Sequence, residues 1–129
     1  MTRFLITAVG LYHAVNAISM WIDPQRWYHL VPGVAQLGPF NSHFIRDAAL
    51  AFTVSSFALL WGLARGDRTA LLGGTAWPLA HAVFHGWLWM TRGAPLDSVA
   101  ALNLLGIQLP AWAAFVSALL HQAEAREHA

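Results

Sequence analysis

The sequence predicts an all-α integral membrane protein, an up-down bundle of four helices, and three observations carry that prediction. Of its 129 residues, 57% are hydrophobic and 10% charged, against roughly 25% charged residues in soluble domains. There is no Lys, and the seven basic residues are all Arg. Four apolar runs, 4–21, 44–64, 70–90 and 99–121, come close to the ~20 residues that match the hydrocarbon thickness of a bilayer. A chain of this length is read as one domain, residues 1–129, because a membrane module and a second globular unit need more residues.

The first run follows Arg3 and resembles a secretory leader. However, Ala14-Val15-Asn16-Ala17 is a poor cleavage site and the run continues through Met20-Trp21-Ile22, so an uncleaved helix is expected. Asp23-Pro24 stops it, since Pro cannot extend a helix and pushes the preceding residue out of α geometry. The stretch 22–42 is then an outer loop, with Trp21, Trp27 and Tyr28 at the membrane edge as an aromatic belt and Phe40 helping to tie it down. Asn41 or Ser42 caps the second helix. Arg65-Gly66-Asp67-Arg68 turns into the third, where Gly73-Gly74 permit close packing and Pro78 frees a carbonyl and bends the helix. Arg92-Gly93-Ala94-Pro95 separates the fourth helix, which is capped by Asp97 or Ser98 and contains Pro110. The tail 122–129 reads as a polar frayed end. With the N-terminus inside, Arg3, Arg65, Arg68 and Arg126 face the cytoplasm and Arg26, Arg46 and Arg92 face outward. This four-to-three balance sets an N-in, C-in orientation.

Composition also narrows function. A formal net charge of +1 offers no basic surface for nucleic acid. The absence of Cys excludes disulfides, thiolate ligands, covalent c-type haem and cysteine nucleophiles. A metal would have to be held by His, Asp, Asn, Gln or backbone oxygen.

Ionisable side chains in hydrocarbon cost on the order of 2.5–3.5 kcal/mol on insertion scales, so they are rare unless paired or functional. At 1.5 Å rise per residue, His13 lies about 12 Å below the outer end of its helix, and His81 and His85 about 13 and 8 Å below theirs. His43 and Asp47 occupy the mouth and first turn of the second helix, and Asn103 lies about 8 Å into the fourth. His81/His85 and His43/Asp47 are i,i+4 pairs and His13/Asn16 an i,i+3 pair, so each pair shares a helix face. Two His on one face are a common way to place two nitrogens on a metal. The expectation is one pocket in the outer half, with His13, His43, Asp47, His81 and His85 as metal ligands and Asn16, Arg46 and Asn103 supporting them. Each residue also has a plainer assignment. His81, His85 and His13 can serve as interhelical hydrogen-bonding glue, Asp47 can pair with Arg46 or a protonated His, and His43 can be a neighbour of the cap. His29, His121 and His128 read as loop, rim and tail residues, and the seven Trp as interface anchors.

An N-terminal helix closed by Asp23-Pro24, a loop ending in Gly38-Pro39-Phe40-Asn41, a second helix opening with His43-Phe44-Ile45-Arg46-Asp47, and an Arg-containing turn before two further helices resemble the small DoxX-like four-helix membrane proteins of bacteria. The resemblance covers most of the chain at the level of architecture. It implies the bundle fold, the bacterial cytoplasmic membrane and an association with quinone-linked oxidation, and it carries no catalytic residue onto this sequence. Three functional classes follow. The first is a membrane site for Cu, Fe or Zn, for redox chemistry or metal handling. The second is a b-type haem electron-transfer protein with His13 and His81 or His85 as axial ligands. The third is an accessory subunit without a cofactor, in which the polar cluster holds the bundle together or docks a membrane-protein partner or a second copy. The lipid bilayer is a partner in all three.

Overall fold

The computed structural model describes residues 1–36 and 38–127, with side chains described as far as His121; His128 lies outside the described residues. Among the described residues every regular element is helical. Helix α1 (Thr2–Ile22) ends where Asp23 leaves helical geometry ahead of Pro24. The same pair starts the next element. The Asp23 carboxylate accepts the Arg26 N–H at 3.0 Å, and Pro24 occupies the first helical position, where its missing N–H costs nothing. A two-turn helix, α2 (Pro24–Leu30), results, so the expected loop 22–42 is helical at its start and carries a 3-10 turn at Val34–Gln36. Trp27 and Tyr28 anchor it. The Trp27 indole donates to Asn16 Oδ1 at 3.0 Å, the Tyr28 hydroxyl donates to Gly38 O at 2.6 Å, and Phe40 packs edge-on against Tyr28.

Helix α3 (Ser42–Arg65) begins on the Asn41 side chain, which accepts the N–H groups of His43 and Phe44. It ends at Gly66, whose φ of 66° is the left-handed C-cap that glycine adopts without strain. Asp67 then caps α4 (Arg68–Thr91) through Thr69 and Ala70. The turn is tight enough that a Cβ on Gly62 would lie 2.8 Å from Leu71 N. Asp97 caps α5 (Ser98–Leu102), which runs without a break through a π-helical segment (Asn103–Gln108) into α6 (Leu109–Glu127). There the Leu109 N–H reaches back five residues to Leu104 O, and this wider turn leads directly into Pro110. Helix α6 takes in most of the tail expected to fray.

Helix α1 packs on α3 and α6, and α4 packs on the same two. Towards the α3–α4 turn the four meet around Ile6, Val9, Leu59, Leu63, Leu71, Ala114 and Ala118. The buried face of α6 is made of small residues, Ala111, Ala114, Ser117 and Ala118, which let helices approach closely. At the opposite end Met20, Ile45 and Ala49 form a second cluster under Trp27 and Tyr28. Polarity is inverted relative to a soluble domain. Thr2, His13, Ser55, Ser56, Thr75, Asn103 and Ser117 are buried, while Phe4, Val54, Phe57 and Leu105 are each more than 60% exposed. Three helical stretches, Thr2–Ile22, Ser42–Arg65 and Ser98–His121, are long and apolar enough to cross a membrane. The fourth expected span forms α4, which is long enough but diluted by two His, three Trp, three Gly and Pro78.

Candidate functional site

The fate of Pro78 explains His13. In α geometry the carbonyl of Gly74 would accept the N–H of residue 78, and Pro has none. The Ser55 hydroxyl supplies the missing donor across the α3–α4 contact, at 2.6 Å from Gly74 O. That hydroxyl has a single proton, so its 3.0 Å contact with His13 Nδ1 requires Nδ1 to carry a proton and donate to Ser55 Oγ. His13 is 2% exposed. A three-helix relay, His13 to Ser55 to Gly74 O, therefore ends at a carbonyl that a proline left open. Gly74 makes this approach possible, since a Cβ there would sit 3.0 Å from Leu59 N.

The second intrahelical proline is served in the same way. Pro110 withholds an N–H from Gly106 O, and the Tyr12 hydroxyl donates to that carbonyl at 2.8 Å. Inside the π-helical segment Gln108 is the hub. Its amide nitrogen donates to Ala82 O at 2.6 Å and to Asn103 Oδ1 at 3.2 Å, while its oxygen accepts from the Trp112 indole at 3.1 Å. Asn103, expected to support a metal site, is engaged here instead. Asn16, expected in the same role, accepts the Trp27 indole.

His43 and Asp47 form an ion-pair contact of 2.8 Å with side chains 85% and 59% exposed. Arg46 does not pair with Asp47; its guanidinium lies 5.9 Å from the Trp21 ring centroid. These three residues belong to the exposed start of α3.

His81 and His85 are different. Their ring centroids lie 4.4 Å apart on one face of α4, and His81 stacks on Trp77 at 4.8 Å with an interplanar angle of 13°. Both are half-buried, and among the described residues neither imidazole has a hydrogen-bonding partner. The ring of Phe52 stands against both His13, at 5.2 Å, and His81, at 6.5 Å. Phe52 is thus a shared packing neighbour of the α1 and α4 histidines.

The expected convergence of His13, His43, Asp47, His81 and His85 is thus replaced by three separate arrangements: a buried relay, an exposed ion pair and an unpartnered imidazole pair. Among the described residues no three His, Asp or Glu side chains are placed to hold a metal ion. The sequence reading missed Ser55, Tyr12 and Gln108. The signal for the first two was present, because each intrahelical proline requires a donor for the carbonyl four residues before it. No protein-family model, curated protein or solved structure matches the chain.

Proposed function

We propose that this chain is a multi-pass membrane subunit in which α4 is a fourth crossing helix, arranged as an N-in, C-in up-down bundle of DoxX-like layout. In this reading His81 and His85 contribute two imidazole nitrogens to a transition-metal site completed by a second copy of the chain. The observation that carries it is the unpartnered pair on α4. An imidazole in an apolar helix is retained where it is paired or functional, and His13 already uses its Nδ1 in the relay to Ser55. Side chains at i and i+4 bring two nitrogens to one ion, as in helical zinc sites. Two such pairs related by a two-fold axis make a closed four-nitrogen shell, and nitrogen donors without sulfur suit Cu(II), Fe or Zn.

Elemental analysis and a visible spectrum of the full chain purified from membranes test this reading. The expected result is one metal ion per two chains, lost in His81→Asn and His85→Gln, with a dimer that dissociates on chelation. Compared with the metal-free parent, the variants should lose only ring packing, about 0.5–1.5 kcal/mol, since no hydrogen bond is removed. Metal-free protein that remains so on adding Zn(II) or Cu(II) would overturn the proposal, and a Soret band would replace it with the haem reading.

A further inference from the structure

A groove of about 590 Å³ runs between α1 and α2 at the end of the molecule away from the α3–α4 turn, within the roughly 300–1,000 Å³ typical of small-molecule sites. Its walls are apolar, formed by Val15, Ile18, Ile22 and Leu30, and its polar edge carries Asn16, Asp23 and Arg26. The chemistry of that edge is mainly donating. Asn16 turns its oxygen to the Trp27 indole, which can only donate, so its amide N–H groups remain, and they have no acceptor among the described residues. The Arg26 guanidinium makes no ion pair among the described residues. Asp23 is the one acid at this edge, and its Oδ1 is held by the Arg26 backbone N–H. A second hollow of about 300 Å³ lies on the other side of Ile18 and Ile22, which line both. It includes Trp21, beneath the Arg46 guanidinium. Two apolar hollows flanking one ridge, with an Arg beside each, match an amphiphile that has two hydrocarbon chains and an anionic acceptor-rich head.

We infer that the end of α1 and the helix α2 form a binding site for an anionic diacyl phospholipid. One acyl chain lies in each hollow, and the phosphate meets Arg26 and the Asn16 amide. The site rests on the membrane placement of the chain and is independent of the α4 imidazole pair. Helix α2 and its Trp27–Asn16 bond then serve to hold the wall of the groove in place at the depth of the head groups.

The test is native mass spectrometry of the full chain released from nanodiscs made of equal parts phosphatidylglycerol and phosphatidylcholine with matched chains. The parent should retain phosphatidylglycerol over phosphatidylcholine by about fivefold, the scale of one basic residue at an anionic surface. Arg26→Gln should bring the ratio to about one, and Arg26→Lys should keep most of it. Ile18→Trp, at an exposed position that leaves the core untouched, should lower retention of both lipids. His81→Asn should leave the ratio unchanged, which separates this site from the metal proposal. Equal retention of the two lipids by the parent, an unchanged ratio in Arg26→Gln, or preferential retention of added oleate over both would overturn the assignment.

Discussion

His13 and His81 both pack against the Phe52 ring, yet a hydrogen bond within the chain engages only one of them. His13 is buried and donates through Nδ1 to Ser55, which in turn serves the carbonyl opened by Pro78. His81 has a stacking partner in Trp77 and a neighbour in His85 but no hydrogen bond among the described residues. A histidine in an apolar helix is therefore not a site merely because it is polar. What separates the two is that His13 has one ring nitrogen bonded to another helix, whereas neither imidazole of the α4 pair has a hydrogen bond among the described residues.

The comparison breaks most readily at Ser55. Ser55→Ala leaves both the His13 N–H and Gly74 O without their partner, and an unsatisfied buried polar group costs about 1–3 kcal/mol. We expect the largest loss of stability here, read by unfolding in detergent. In a Pro78→Ala background residue 78 regains an N–H for Gly74 O, so the same substitution should cost roughly half as much. Equal losses in the two backgrounds would show that no relay exists.

A smaller effect sharpens the other side. Asp47→Asn removes an exposed i,i+4 contact and should cost about 0.3–0.5 kcal/mol. Metal content at His81 and His85 should not change. Loss of metal on this substitution would rejoin the α3 start to the α4 pair and restore a single-site arrangement.

The smallest expected effect lies outside both regions and serves as a control. The Ala100 N–H, followed by the Arg92 guanidinium, holds the Asp97 carboxyl below its ordinary 3.8. A carboxyl depressed on folding adds stability that is fully present above 3.8 and is lost as the pH falls through the lower folded value. Melting temperature followed from about pH 5 to pH 2 should therefore show an acid limb that is shallower in Asp97→Asn. At neutral pH Asp97→Asn should melt slightly below the parent, because Asn still caps α5 but loses the charged contact with Arg92, and the two should converge towards pH 2. An identical acid limb in both would remove Asp97 as its source.

Much of the helical layout was legible because its signals are local. Asn41 and Asp97 cap helices where the sequence placed caps, and Gly66 ends α3 in the left-handed conformation that its turn requires. Helix α2 was not legible as a helix, because Asp23-Pro24 was read only as a stop although the same two residues make a good start. The paired prolines announced open carbonyls, but not that Ser55 and Tyr12 would fill them, since these donors come from other helices, 19 and 94 residues away in sequence.

By itself the sequence determined an all-helical chain, the depth of each polar residue along its helix and the impossibility of thiol chemistry; it offered four spanning runs, of which three form helices long and apolar enough to cross a membrane. Only the tertiary structure decided which polar groups meet. Depth follows from the rise per residue, whereas the rotation of each helix about its axis is set by packing against its neighbours. Residues at one depth can therefore face different partners. His13 turns inward to Ser55, His43 and Asp47 turn out to solvent or head groups, and His81 and His85 share a face with Trp77. That rotational freedom is the physical reason one expected pocket resolved into three arrangements.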